Sequence, residues 1–463
     1  MNILGLTFDD TDASAALLID GIPVAAIQEE RLSRISHDPS LPKNAIDYCL
    51  KQGGLSAGDI DAVAFFGNPL VRFDRILRGR LRILKRHGGS FRATLKGWLG
   101  DRLFEVRSRI AETLEVDERL VSYAPRPDAL AAASFQTSPF ERACVIVVDG
   151  PRNDMRMSVF KGADDGLKNI AVGHPGRDFA EQVLRTAERT EAAGICLAGK
   201  AFRDPEVVGR IVREARMPVY LPTAPGNAGG AIGAALWRRR DSSGKPASRL
   251  PVPTPPARTL DNDDIGKAVK QSGMAIEARH DGARELAGAV AGCLAGGKAI
   301  GWFQGPAPWS EIAPNARCAL IDPSMPEAAR TLAEKLKWND APRRLALSVT
   351  LETAHEVFDI ASPGWAERHA LAAHPLHAGQ LKGLECGRAM RCHAVDRKDD
   401  PLFHALLIAF RERTGLPALL NAPLALGKEP LAETPADALR SYIYGGLDGL
   451  ALGDMMVGRK LTL

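Results

Sequence analysis

Short apolar runs, separated by turn residues, set the rhythm of this 463-residue chain. Ile3 to Phe8 reads as a strand. The Asp20–Gly21 pair between two further apolar runs is a hairpin signal, so the chain opens as three strands joined by turns. A helix is predicted from Pro42 to Gln52, a buried strand from Asp59 to Gly67, and a small-residue packed helix from Asp128 to Phe135. Ala143 to Val148 is a continuous apolar strand that ends at Asp149–Gly150. Met155 to Leu184 is weakly patterned, and Glu191 to Ala201 reads as a helix end or a short strand. Met217 to Leu221 is a short strand, and Ala224 to Arg240 is a glycine-rich turn entering a helix. The second half predicts helices over Ala283–Gly297, Pro326–Leu336, Leu402–Thr414 and Pro435–Gly446. Its strands are Lys298–Phe303, Arg344–Leu351, Pro417–Leu420 and Gly449–Leu452. Helices and strands mixed throughout the chain, with no solenoid-type repeat, predict an α/β or α+β protein.

One break in the pattern divides the chain. Asp241 to Asn262 carries Pro246, Pro251, Pro253, Pro255 and Pro256 and reads as an extended connector. The expected organisation is therefore a domain over 1–240, a linker over 241–262 and a domain over 263–463. A hydrophobic content of 45% with 25% charged residues is ordinary for a globular protein. The net charge of +4 is too small to argue for nucleic acid. Asp74 to Ile110 is the basic exception, with Leu77, Leu81 and Leu84 spaced between arginines and lysines. Such a face suits an anionic substrate, an acidic partner or RNA, or is simply solvated; it lacks the aromatic interleaving of a nucleic-acid platform. Seven scattered cysteines without a CxxC pair fit buried thiols in a reducing compartment. With no leader pattern and no apolar run of membrane-spanning length, a cytoplasmic location is expected, with no membrane partner.

Candidate chemistry lies in the turns. Asp149 stands at the carboxyl end of a strand, where open α/β sheets place ligands, although Asp–Gly turns are common in their own right. Asp9, Asp10, Asp12 and Ser14 crowd the first turn, which is either a phosphate cradle or a solvated loop. Gly226, Gly229, Gly230 and Gly233 let a backbone approach a phosphate or a packed helix closely.

Several segments, taken in order, resemble the bacterial O-carbamoyltransferases of nodulation factors and antibiotics. The opening GLTFDDTDASAALLIDGIPVAAIQEERLSRISHD is similar to that family's strand, HDAS turn, DG hairpin and EERxxRxKHD run. AAASFQTSPFERACVIVVDG, ICLAGKAF and PGNAGGAIGAAL resemble three further elements of its N-terminal half. KAIGWFQG, ARCALIDP, TGLPALLN, KEPLAETPADAL and GLDGLALGDMMV resemble its C-terminal half. The resemblance implies an actin/hexokinase/Hsp70-like (ASKHA) N-terminal domain related to the tRNA threonylcarbamoyl-transfer protein. It also implies a C-terminal, YrdC-like domain that makes carbamoyl-adenylate. In such proteins ATP and carbamoyl phosphate are consumed, and a metal acting as Lewis acid helps pass the carbamoyl group to an acceptor hydroxyl.

The departures from that pattern bear on activity. The family's metal is held by two histidines at HxxxH, the DG aspartate and the PGD aspartate. Those positions fall on Arg126, Leu130, Asp149 and Asn227. Leucine has no lone pair and arginine brings a positive charge, so no bound metal is expected. The HDAS histidine is Thr11, with Asp12 and Ser14 kept, and the LAGG pair is Gly199–Lys200. Only Pro151 to Gly194 spans a region that carries a long insertion in the family. Over Pro306 to Ala319, two family arginines become Pro306 and Ile312, while Arg317 remains. Arg343 and Arg391 match two further arginines, and NTSFN becomes Asn421 to Ala425. The candidate catalytic residues are Asp149, Asn227 and Arg126. The candidate nucleotide- and phosphate-binding residues are Asp12, Ser14, Gly199, Gly229, Gly230, Arg317, Arg343, Arg391 and Asn421. Three readings follow. One is a pseudoenzyme that partners an intact paralogue or forms a homodimer. A second is a metal-independent transferase acting on a small-molecule or glycan hydroxyl, with ATP and carbamoyl phosphate as donors. The third is the usual metal-dependent reaction.

Overall fold

The computed structural model describes residues 1–74, 77, 105–151, 154–164, 166–243, 262–307, 309–310, 312–339, 344–377, 381 and 389–458. Most of the basic 74–110 segment, the proline-rich stretch from 244 to 261 and Arg343 lie outside those residues.

Two five-stranded sheets form the N-terminal half. The first joins β1 (Asn2–Thr7), β2 (Ser14–Ile19), β3 (Ile22–Gln28), β4 (Ala62–Phe66) and β5 (Val121–Ala124) in the order β3-β2-β1-β4-β5. The second joins β6 (Ala143–Asp149), β7 (Arg156–Ala163), β8 (Gly166–Gly173), β9 (Gly194–Ala198) and β10 (Val219–Tyr220) in the order β10-β9-β6-β7-β8. Read from the other edge, the second order repeats the first. In both sheets the first three strands run antiparallel and the last two join in parallel. This internal duplication is invisible in the residues. It agrees with the actin/hexokinase/Hsp70-like half implied by the resemblance. The Asp20–Gly21 hairpin forms as expected, with both residues at positive φ. The weakly patterned 155–184 stretch becomes β7, β8 and a helix over Phe179–Glu188. Its pattern is faint because β8 is an edge strand exposed on both faces over residues 168–173, Ile170 and Val172 included.

Each sheet ends in a helix, Arg126–Gln136 after β5 and Gly230–Ser243 after β10, and the two pack on each other between the sheets. A Cβ at Gly233 would lie 2.3 Å from the Ala129 carbonyl oxygen, so a glycine is required for this approach. Residues 129–135 of the first helix and 230–236 of the second are mostly alanine and other small or apolar residues buried almost completely, which is why the alternation of polar and apolar positions disappears there.

The C-terminal half is a nine-stranded mixed sheet. It contains β11 (Ala275–Arg279), β12 (Ile300–Phe303), β13 (Arg317–Ile321), β14 (Ala346–Thr350), β15 (Ala373–Pro375), β16 (Ala389–Val395), β17 (Ala418–Pro423), β18 (Gly449–Leu452) and β19 (Met455–Gly458). The order is β11-β19-β18-β12-β13-β17-β14-β16-β15. Two apolar clusters cover its faces, one around Leu332, Phe358 and Tyr442, the other around Trp302, Phe403 and Phe410.

The halves are clasped by the EERLS helix, Glu29–Ser33. Glu29 accepts the Ala45 backbone N–H at 2.8 Å and stays in the first half. Arg31 turns the other way, pairing with Glu433 at 3.1 Å and donating to the Ser310 carbonyl at 2.7 Å, with both charged side chains buried. Arg34 donates to the carbonyls of Leu431 and Pro430 and pairs with Asp437 at 3.2 Å. A charge removed from water tolerates burial only with such partners, so this motif holds two halves together.

Candidate functional site

The ends of β1, β6 and the 224–230 turn meet in one cleft. Asp149 closes β6, with its side chain largely buried. Arg126 opens the helix after β5, and Asn227 sits in the turn before the partner helix, fully buried. The guanidinium of Arg126 stands between the other two. Its Nε and Nη2 donate to Asp149 Oδ2 at 3.2 and 2.9 Å, and Nη2 donates to Asn227 Oδ1 at 2.6 Å. It lies 4.3 Å over the Phe66 ring, a cation–π contact. Gly230 packs on that same ring, and a Cβ there would come within 2.3 Å of it. The fourth position, Leu130, faces elsewhere, into the apolar core between the sheets.

A hydrogen-bonded chain extends the cleft toward the first turn. Asn227 Nδ2 donates to the carbonyl and hydroxyl of Thr11 at 3.0 and 3.1 Å. Thr11 donates to Asp12 Oδ2 at 3.1 Å, and His37 Nδ1 meets Asp12 Oδ1 at 2.5 Å. Burial alone would raise the Asp12 carboxyl, but the His37 hydrogen bond and the Arg203 charge bring it below the ordinary value. The same hydrogen bond raises His37. Asp10 lies 3.5 Å from Lys200 and 3.8 Å from Arg126. Burial opposes its ionisation, yet these two cations outweigh it and its carboxyl is lowered. Both carboxylate oxygens of Asp9 accept from Arg109 Nη1, at 3.1 and 2.9 Å. Thus Arg109, Arg126, Lys200 and Arg203 are all matched by aspartates of the cleft.

The other expected residues are placed as follows. Ser14 donates to the Ala228 carbonyl at 2.8 Å and ties β2 to the 224–230 turn. Gly199 donates to the Pro225 carbonyl at 2.7 Å, and Lys200 N–H reaches Asp149 Oδ1 at 3.3 Å. Gly229 lies against the Ala224 carbonyl, where a Cβ would fall 2.1 Å away. Arg317 is in the second half and does not face the cleft. It is 1% exposed, donates to the carbonyls of Gln304, Gly305 and Ala316, and stacks 3.7 Å over Phe303. Burial lowers its guanidinium to about 10. This is a structural arginine, because carbonyl acceptors take the edge a phosphate would need. Asn421 is likewise turned inward, its amide donating to Pro314 O and Ser348 Oγ. Arg391 donates to the Ala370 carbonyl at 3.0 Å. Asp10, His37, Arg109 and Arg203 belong to the cleft but were not singled out individually as site residues. The sequence signals for them are the acidic first turn for Asp10, the SHD run for His37 and the basic 74–110 segment for Arg109.

The residues at 2–171 match the family model described as Carbamoyltransferase N-terminus, and residues 291–459 match Carbamoyltransferase C-terminus. The chain belongs to the carbamoyltransferase family. Among relatives of this carbamoyltransferase-family chain, the Synechocystis protein sll1178 is 25% identical over 99% of this chain and 97% of its own length. The nodulation protein NolNO of Sinorhizobium fredii is 23% identical over 97% of this chain and 79% of its own. The solved ROK hexokinase of Thermus thermophilus aligns with 51% of this chain and 98% of its own, at 11% identity and a TM-score of 0.28. No helix among the described residues is long and apolar enough to cross a membrane.

The family's metal can now be tested against the donors present. Arg126, Asp149 and Asn227 converge on one point, but the atoms at that point are the guanidinium N–H groups of Arg126. One carboxylate and one amide oxygen face a fixed positive charge, and Leu130 offers no donor atom. This set does not fit a divalent ion.

Proposed function

We propose that this carbamoyltransferase-family chain is a pseudoenzyme, which keeps the family fold and acts as a partner in a carbamoylation pathway. The observation that carries the reading is the position of the Arg126 guanidinium, bonded to both Asp149 and Asn227. It supplies internally the positive charge that an ion would otherwise bring. The cleft cations are each matched by a carboxylate, so an incoming phosphate has to break existing ion pairs to bind. An intact paralogue, or a second copy of this chain, is the proposed partner.

The test uses the purified full chain, with metal content and turnover of ATP with carbamoyl phosphate measured together. The expected result is sub-stoichiometric metal, no carbamoyl transfer alone, and co-purification with a paralogue bearing intact HxxxH. Stoichiometric iron or zinc that disappears in Asp149→Ala would overturn it. A second reading rests on the same guanidinium: Arg126 as the cation facing a phosphate in a metal-independent transferase. Turnover without metal, abolished by Arg126→Gln and by Arg343→Ala, would establish that reading instead.

A further inference from the structure

A cavity of about 430 Å³ lies where the two halves meet, at the far end of the helix that Arg126 begins. Ala133 and Thr137 of that stretch line it, so it starts roughly 10 Å along the helix from the cleft. One wall is a ladder of rings. Tyr220 and Trp365 have centroids 5.0 Å apart, and Trp365 and His369 are 4.0 Å apart. The polar edge of Trp365 is taken by the Leu221 carbonyl at 2.7 Å. The Tyr220 hydroxyl bonds Thr137 Oγ1 at 2.8 Å, and Thr137 in turn donates to the Ala133 carbonyl. The polar tips of Tyr220 and Trp365 are therefore both engaged, and the rings bring apolar surface to the lining. Trp309 and Ile312 line it from the second half.

One buried polar group in the lining has an unused edge. His393 is 3% exposed, and its Nδ1 contacts Ser348 Oγ at 2.8 Å. Ser348 Oγ also accepts from Asn421 Nδ2 at 2.9 Å. The other ring nitrogen of His393, Nε2, lies on the edge turned away from Ser348, in a residue that lines the cavity.

The charge of the lining is acidic. Among the described residues, its charged members are Arg368, Asp396, Asp399 and Asp400. Arg368 is neutralised by Asp399 at 3.3 Å and Asp396 at 3.8 Å. Asp400 accepts from Asn315 and from the Phe403 N–H, and burial raises its carboxyl. Burial keeps both histidines neutral, lowering His369 to about 4 and His393 to about 3. Among the described residues of the lining, Arg368 is thus the one cation and is outnumbered by carboxyl groups.

We propose that this cavity between the two halves binds a small ring-bearing monocation: a protonated amine directed at the aspartates, an aromatic body against the Tyr220–Trp365 ladder, and a hydrogen-bonding group for His393 Nε2. Aromatic faces and carboxylates both favour a cation, and neither favours a phosphate ester. The assignment goes beyond the pseudoenzyme reading and does not depend on the state of the Arg126 cleft.

Calorimetric titration of the full chain with three isosteric probes tests it: tryptamine, uncharged tryptophol and anionic indole-3-propionate. Tryptamine should bind about tenfold more tightly than indole-3-propionate, with tryptophol between them. Asp396→Asn, which keeps the oxygen that accepts the Lys398 N–H, should weaken tryptamine several-fold and leave tryptophol unchanged. Ile312→Trp, which fills the space, should remove binding of all three. Tighter binding of indole-3-propionate or of AMP, absence of tryptamine binding, or tryptamine binding indifferent to both variants overturns the assignment. If Ile312→Trp fails to fold, the Asp396→Asn contrast decides alone.

Discussion

Two arginines, each stacked on a phenylalanine, separate two kinds of divergence in this molecule. Arg126 lies over Phe66 in the N-terminal cleft and is bonded to a carboxylate and an amide. Arg317 lies over Phe303 in the C-terminal sheet and is bonded to backbone carbonyls alone. The first is a replacement at a family ligand position, and it reuses the surviving donors of the site. The second matches a family arginine, yet its hydrogen bonds all run into the scaffold. Keeping a residue type therefore says little about keeping its role, while a replaced residue can show where the site was. What distinguishes them is the acceptor set. A carboxylate at a strand end is a site component, whereas carbonyls of the flanking loop are the fold itself.

Perturbing Arg317 should have the largest effect. Arg317→Ala leaves buried carbonyls without donors and a void over Phe303, and should cost about 3 kcal/mol in urea unfolding. A loss under about 1 kcal/mol would mean that the guanidinium is available for a ligand, and the contrast with Arg126 would collapse. Arg126→Ala should cost about 2 kcal/mol, since it strands the buried Asp149 carboxylate. A double-mutant cycle with Asp149→Ala should return most of that as coupling, and additive effects would show that the pair does not interact.

The pH dependence of the cleft sharpens the comparison further. Asp12 is lowered in the folded state, so its contribution is present above its unfolded value near 4 and is lost as pH falls through the lower folded value. His37 is raised, so its contribution is complete below about 6.5 and is lost as pH rises through the higher folded value. The pair should be at full strength between about pH 4 and 6.5, and His37→Asn should flatten the alkaline side of the stability profile. A wild-type profile without that alkaline decline would dissolve the ion pair. The smallest effect is expected at Arg185, whose pair with Glu181 at 2.6 Å is exposed on a helix. Arg185→Ala should change stability by less than about 0.5 kcal/mol, which sets the background for the buried arginines.

The sequence by itself was enough for the family and for the main elements. Strands such as Ala143–Asp149 are uninterrupted apolar runs, and burial on both faces writes that directly into composition. It also picked out Arg126, Asp149 and Asn227, which the structure brings together through the Arg126 guanidinium. The duplicated sheet order was not legible, because the same topology can be filled by different apolar residues. Nor was the use of each polar group. Arg317 and Asn421 resembled phosphate ligands in one dimension, and only packing showed that their hydrogen bonds close on the backbone and on Ser348. The EERLS run could be recognised, but not its clasp on Glu433 and Asp437, some four hundred residues away. Apolar pattern is set by burial, which is a property of each position. The partner of a polar side chain is a property of pairs, and pairs far apart in the chain are made only when the chain folds.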